Sequence, residues 1–187
     1  CGARPFSSLE SALATGGDVV FISTPPHLHL VQSMQVARAG CHLFVEKPLS
    51  NTAEGLDELI ELIRRKNVVS MIGCNMRFHH GPATVKRLLE EGVVGQITSA
   101  IMDAGQYLPE WHPEQDYRQS YSAQLSMGGG VVFDGIHEID YARWLFGEVV
   151  EVFCFGGKFS NLDIDVEDTA NVLMKFQPGF SAMLHID

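Results

Sequence analysis

Two short stretches of the chain carry side chains able to move or stabilise protons. Lys47 stands before Pro48 in HLFVEKPLS (residues 42–50), and Asp134, His137 and Tyr141 follow one another in GGGVVFDGIHEIDY (residues 128–141). An ammonium, a carboxylate, an imidazole and a phenol are the usual partners of general acid–base chemistry. A residue before proline is held extended and kept out of the next helix, and the prolyl bond itself can be cis for about 0.5 to 1 kcal/mol. Lys47 is therefore aimed from the end of an apolar run, where it could polarise a hydroxyl or a carbonyl. In a continuous helix at 100° per residue, Asp134, His137 and Tyr141 fall within about 60° of one another, with Val132, Ile136, Ile139 and Phe146 pointing largely the other way. Such a pattern fits a buried histidine satisfied by the aspartate at i−3, and it fits a proton-transfer pair. The three glycines at 128–130 favour the second, because they make a poor helix start unless something must approach the backbone closely.

The loop LPEWHPEQDYRQSYSA (residues 108–123) adds Trp111, His112, Asp116, Tyr117, Arg118 and Tyr121. Aromatic faces with polar neighbours suit the apolar faces and hydroxyls of sugars, and an arginine suits a carboxylate or phosphate. The same residues suit a subunit contact. The polar, aromatic stretch from Tyr107 to Met127 is long for a connection, and long loops in compact domains are functional or disordered. Glu167 and Asp168 in VEDTANV read as a turn before a strand.

The elements that must position these residues are legible as two successive patterns. SSLESALAT (7–15) is a short amphipathic helix, GGDVVFIST a buried strand, and the segment after Pro25-Pro26 a helix that Gly40 ends. CHLFVEK is a second strand, TAEGLDELIELIRRK a helix starting from Thr52 and Glu54, and VVSMIGCNMRF (68–78) a third strand. Alternating strands and helices mean parallel pairing with crossovers. After Phe78 come a helix (GPATVKRLLEEG), a strand (QITSAIMDAGQ), the loop, a mostly buried helix over GGGVVFDGIHEIDYARWLFG, and strand-like runs at 149–159, 168–176 and 180–186, antiparallel by their Gly-bearing turns. The expected fold is α/β: a partial Rossmann doubly wound parallel sheet (residues 1–78), followed by an α+β domain with a largely antiparallel open sheet (residues 79–187). Ligands of open parallel sheets bind outside the carboxyl ends of the strands. Three such ends are polar here: Ser23-Thr24-Pro25, Glu46-Lys47-Pro48 and Asn75-Met76-Arg77.

Composition narrows the partners. The 187 residues are 45% hydrophobic and 19% charged, and 13 Lys and Arg against 23 Asp and Glu give a formal charge of −10. That balance repels nucleic acid and anionic membranes. No stretch approaches the roughly 20 apolar residues of a membrane span, and the first residues carry no signal pattern, so a cytoplasmic protein is expected. The four cysteines lie far apart, without metal-ligand spacing, and no metal site is expected. The missing initial methionine and an apolar alternation that stops at Asp187 read as a chain truncated at both ends.

Taken in order, FISTPPHLH, AGCHLFVEKPLS, GCNMRF and the glycine-led helix resemble the Gfo/Idh/MocA oxidoreductases, the family of glucose-fructose oxidoreductase and inositol dehydrogenase. The resemblance covers nearly the whole chain. It implies an NAD(P)-dependent oxidoreductase that moves a hydride between nicotinamide and a hydroxyl-bearing carbon of a sugar, cyclitol or related polyol held between the domains. It implies catalytic roles for Lys47, Asp134 and His137, with His137 taking the hydroxyl proton, and cofactor contacts by Ser23, Thr24, Pro25, His29, Glu46 and Lys47. Arg77, Trp111, Tyr117, Arg118 and Tyr121 are the expected substrate contacts. Family members commonly separate the Asp and His by three residues, whereas here only Gly135 and Ile136 intervene. The family's GxGxxG loop is absent, so at least one further βαβ unit, roughly 30 residues, is expected before Cys1. A non-catalytic dinucleotide or sugar sensor and an NAD-assisted lyase or glycosidase are the alternative functions. A homo-oligomer is expected for the full-length protein, because an open sheet with one uncovered face invites a subunit.

Overall fold

A computed structural model describes residues 2–187. The chain divides into two compact units, Cys1–Gly73 and Cys74–Asp187.

In the first unit the apolar runs form three short parallel strands, β1 (Val19–Ile22), β2 (His42–Val45) and β3 (Ser70–Ile72), in the spatial order β1-β2-β3. Their register pairs Ile22 with Val45 and Val45 with Ile72, so all three strands end level. Helices α1 (Leu9–Leu13), α2 (Pro26–Ala39) and α3 (Leu56–Lys66) alternate with them. Ser8 caps α1 by accepting from the Ser11 N–H, and Gly40 ends α2 in the left-handed conformation at φ 81°. Val36, Ala37, Leu43, Val45, Leu59 and Leu62 form the buried core between helices and sheet.

Two elements are shorter than their sequence patterns suggest. Helix α3 begins at Leu56, not at Thr52, because Gly55 takes φ 83° and cannot be inside a right-handed helix. The Thr52 hydroxyl instead accepts from the Glu54 N–H in the preceding turn. Strand β3 covers three residues of the expected eleven. Among the described residues its only strand neighbour, β2, ends at Val45, and the Gly73 N–H makes the last bond to the Val45 carbonyl. With nothing left to pair against, Asn75–Phe78 folds as a 3-10 turn of the second unit.

The second unit is a four-stranded sheet with helices on one face. Helix α4 (His80–Glu90) is followed by β4 (Ser99–Ala104), the short helix α5 (Leu108–Trp111), α6 (Val131–Asp134), α7 (Ile136–Phe146), β5 (Val149–Gly157), β6 (Thr169–Phe176) and β7 (Ser181–Ile186). The last three strands are antiparallel neighbours. The sequence pattern did not reveal that β4 lies at the far edge and runs parallel to β7, which makes the sheet mixed, in the order β4-β7-β6-β5. Alternation along β6 and β7 sends Val172, Met174, Phe176, Ala182, Leu184 and Ile186 into the core, where Val131, Val132, Ile139 and Phe146 of α6 and α7 pack over them. On the opposite face the register aligns Ile101, Met183, Leu173 and Phe153 in one row across all four strands, each exposed.

Between α5 and α6 the chain is compact, in three 3-10 turns at Tyr117–Gln119, Tyr121–Ala123 and Leu125–Met127. The helix expected across 128–147 is two helices. It starts after the glycines and is interrupted at Gly135 (φ −80°, ψ 20°), where an added Cβ would press on Ile186 and the Val131 carbonyl. The 100° rule therefore relates His137 to Tyr141 within α7 but does not carry across the break to Asp134.

Phe176 is fully buried and its ring meets those of Phe146 and Phe180 at centroid distances of 5.5 and 5.3 Å. Phe176→Ala should destabilise the second unit by about 3–5 kcal/mol. Both tryptophans, Trp111 and Trp144, belong to that unit, so urea unfolding followed by tryptophan emission reads the loss directly, and an unchanged midpoint would contradict this packing.

Candidate functional site

In the first unit, the loops that leave the carboxyl ends of β1 and β2 are tied to one another by a histidine. His29, on α2 and 1% exposed, has Nδ1 2.7 Å from the Pro48 carbonyl and Nε2 2.6 Å from the Thr24 carbonyl. A neutral imidazole donates to one such oxygen and a doubly protonated ring to both. The ring thus joins the Thr24-Pro25 corner to the Lys47-Pro48 corner, and its nitrogens are spent on the protein's own backbone. Thr24 also donates its hydroxyl to Gln32 Oε1 at 2.7 Å. Lys47 is half-buried, its peptide bond to the buried Pro48 is cis, and its N–H faces the Glu46 carboxylate at 3.3 Å. That carboxylate lies over Gly73, where an added Cβ would come within 3.0 Å of it. Thr24, Pro25, His29 and Lys47 are thereby gathered at one end of the sheet, and Ser23 and Glu46 are exposed beside them.

The glycines of the second unit have an explanation internal to the chain. A Cβ at Gly129 would overlap the carbonyls of Tyr121 and Ser122, and one at Gly130 would overlap the Glu167 carboxylate. Gly130 also stands at φ 107°. What approaches the backbone is the protein itself. The Gly130 N–H donates to the Ser122 carbonyl at 3.1 Å, and the first amides of α6 donate to Glu167, Val131 to its carbonyl at 3.1 Å and Val132 to its carboxylate at 3.2 Å. A carboxylate on otherwise unpaired N-terminal amides stabilises a helix start. Glu167, read from sequence as part of a turn, is thus the anchor of the helix that ends in Asp134. Its neighbour Asp168 fastens a second turn. Burial pushes its carboxyl up, but hydrogen bonds from the Ser160 hydroxyl and the amides of Phe159 and Ser160 outweigh that and hold it below the usual range.

Asp134 closes α6, and its Oδ1 accepts from the Tyr121 phenol at 2.8 Å. Tyr121 shares a pocket with Leu108, Trp111, Gln115, Tyr117 and Ser122. Three of the five expected substrate contacts, Trp111, Tyr117 and Tyr121, are therefore brought together. Arg118 is held apart from them: its guanidinium is paired with Asp116 through two contacts of 2.8 Å, and that pairing holds the Asp116 carboxyl below its usual range. Arg77 is likewise engaged. It makes a two-pronged bond to Asp140 of α7, at 2.8 Å through Nε and 2.6 Å through Nη2, and lies 6.0 Å from the Trp144 ring centroid. Forked arginine–carboxylate bonds are among the stronger polar contacts. The Arg77 guanidinium holds the Asp140 carboxyl below the usual range, against its burial, and the nearby His137 acts in the same direction.

Asp140 was not among the candidates drawn from the sequence. A histidine followed by an acid at i+3 is a helical pairing signal that could have found it, whereas Arg77, 63 positions away, could not be matched to it by spacing. Tyr141, four residues after His137, has its phenol pushed up by burial and by Glu138.

An α/β unit with polar residues at the ends of its parallel strands has the arrangement in which open sheets hold ligands, and it is followed here by an α+β unit with a mixed four-stranded sheet. Residues 1–74 match the oxidoreductase family with an NAD-binding Rossmann fold, and residues 83–187 match the GFO/IDH/MocA C-terminal domain. The chain belongs to the Gfo/Idh/MocA oxidoreductase family. It is 37% identical over 132 residues to the levoglucosan dehydrogenase of Pseudarthrobacter phenanthrenivorans, covering 70% of this chain and 33% of that protein. It is 30% identical over 157 residues to the 2,7-anhydro-N-acetylneuraminate hydratase of Escherichia coli, covering 83% and 41%. Among solved structures, the WlbA dehydrogenase from Bordetella pertussis in complex with NADH and UDP-GlcNAcA superposes with a TM-score of 0.87 at 26% identity, over 98% of this chain and 53% of that one. The chain thus spans between 33% and 41% of the length of the two curated relatives.

The Arg77–Asp140 pair yields a pH prediction. A carboxyl whose folded value lies below its unfolded one stabilises the fold fully above the unfolded value, about 3.9, and loses that contribution as pH falls through the lower folded value. Because Arg77 is partly exposed, Asp140→Asn should cost the second unit only on the order of 1 kcal/mol near neutral pH. Urea titrations of both proteins should converge as pH falls below about 4, and a gap that persists unchanged in acid would rule the pair out as its source.

Proposed function

We propose that the intact protein is an NAD(P)-dependent oxidoreductase that acts on a CH–OH group of a sugar, cyclitol or related polyol. The observation that supports it most is the coincidence, across the two domain matches of one family, of a lysine at a parallel strand end with an anchored Asp134 and with His137. When bound, the nicotinamide ring supplies the hydride acceptor or donor. The residues present fit part of a dinucleotide site, because the His29 clasp holds the polar corners after β1 and β2 together at the strand ends where such ligands bind. Ser23, Thr24, Pro25 and Glu46 are the groups assigned to that side, with the Lys47 ammonium there to steer the ligand and polarise the substrate oxygen.

In the direction of oxidation, the substrate O–H proton passes to His137 as the C–H hydride leaves the same carbon, and the C–O bond becomes a carbonyl. Asp134 accepts from a neighbouring substrate hydroxyl and so orients the reacting carbon toward His137. Trp111, Tyr117 and Tyr121 offer aromatic faces to a sugar ring. Arg77 and Arg118 support these contacts from a distance, each spending its fork on a carboxylate of its own unit.

A second reading has one specific observation in its favour, the hydratase among the relatives. Transient oxidation of the substrate, its hydride lent to a bound nicotinamide and returned, would drive elimination or hydration at the same residues without net dehydrogenation, and product analysis separates the two. Retention of both Lys47 and His137 speaks against a purely sensory role.

We assign the protein to the cytoplasm as a homo-oligomer. Among the described residues no helix is long and apolar enough to cross a membrane, and the exposed row Ile101, Met183, Leu173 and Phe153 offers a self-complementary sheet face. Light scattering of the intact protein should give a dimer or larger, and a monomer at all concentrations would remove this part of the proposal.

The test of the activity uses the intact protein with NAD or NADP and a panel of sugars and cyclitols, followed by the absorbance of the reduced cofactor. Lys47→Ala and His137→Ala should each lower kcat by about 100-fold or more. Near-normal turnover in both variants would defeat the assignment of these residues.

A further inference from the structure

We propose that Tyr121 is a positioning residue for Asp134, its phenol fixing the plane in which the carboxylate meets a substrate hydroxyl. The inference rests on Asp134 contacting substrate, as assigned above, and adds the device that holds it.

Two separate sets of contacts bring the phenol to the carboxylate. The first is backbone. Tyr121 opens a 3-10 turn capped by Ser120, whose hydroxyl accepts from the Ser122 amide at 3.3 Å. The Tyr121 and Ser122 carbonyls occupy space that a side chain at Gly129 would fill, and the Gly130 amide bonds to the Ser122 carbonyl. The turn is thereby registered against the chain four residues ahead of Asp134. The second is the side chain, whose hydroxyl reaches Asp134 Oδ1 at 2.8 Å and closes the ring.

Asp134 has reason to need such a partner. It is the last residue of α6, and Gly135 after it leaves helical geometry, so a continuous turn does not frame its side chain. An ionised carboxylate offers about four acceptor positions and no donor. The phenol takes one and orients the others, while the aromatic ring of the same residue lines the pocket with Trp111 and Tyr117. One rigid side chain therefore sets both the wall of the pocket and the orientation of the carboxylate. That coupling distinguishes Tyr121 from a residue that serves as wall alone.

The experiment is a double-mutant cycle between Tyr121→Phe and Asp134→Asn, read two ways. In urea unfolding followed by tryptophan emission, Tyr121→Phe should lower the midpoint of the wild-type protein and lower it clearly less in the Asp134→Asn background, where a neutral amide oxygen is a weaker acceptor than the carboxylate. In turnover of the best panel substrate by the intact protein, Tyr121→Phe should lower kcat by about 10-fold, with KM changed less than about 3-fold, and the effect should shrink to about 2-fold or less when Asp134 is already Asn. Equal factors in both backgrounds, or a rise in KM alone, would mean that Tyr121 acts only as pocket wall and would overturn the proposal. If Asp134→Asn turns over like wild type, or no compound is turned over, the functional assignment fails and the positioning role with it. The stability cycle would still report the contact, which keeps the two failures distinguishable.

Discussion

The second unit is organised by the absence of side chains at two adjacent positions. Because Gly129 and Gly130 carry no Cβ, the carbonyls of Tyr121 and Ser122 and the carboxylate of Glu167 can close on the backbone between them. From that approach follow the cap on α6, the placement of Asp134 at its end, and the pinning of the loop whose aromatic residues form the pocket. A methyl group at either position would push against backbone or a carboxylate already committed to the helix amides. Segments far apart in sequence, at 121–124, 128–132 and 165–167, thus share one small volume.

The first unit is governed by a different constraint, the length of its central strand. Strand β2 has four residues, so β3 stops when β2 does, and the corners after β1 and β2 fall level with each other. The buried ring of His29 can then reach a carbonyl from each corner. Polar groups at the ends of the strands are held by one imidazole on the backbone of α2, in place of a long ladder of sheet hydrogen bonds.

Much of this was legible in the sequence. The strand–helix alternation, Gly40 as a helix stop, the antiparallel order of β5, β6 and β7, the place of Lys47 at a strand end and the helix start after the glycines all follow from local pattern and residue chemistry. What escaped was non-local. Period and propensity cannot show that β4 crosses to pair in parallel with β7, because the same alternation of apolar and polar residues serves either edge. They cannot show that Glu167 caps a helix 35 residues earlier, or that Arg77 is occupied by Asp140. The interruption at Gly135 is intermediate. Glycine inside a helical pattern is a visible warning, but what breaks the helix is close packing on Ile186, which no local window contains.

The uncovered row of Ile101, Met183, Leu173 and Phe153 has a thermodynamic consequence of its own. Any copy or partner that covers it binds only the folded sheet, so association and folding become linked equilibria. In an assembly that covers it, the apparent stability of the second unit would rise with the logarithm of protein concentration. Dilution alone, with no change of temperature or solvent, would then weaken the sheet over which the helices of Asp134 and His137 are packed.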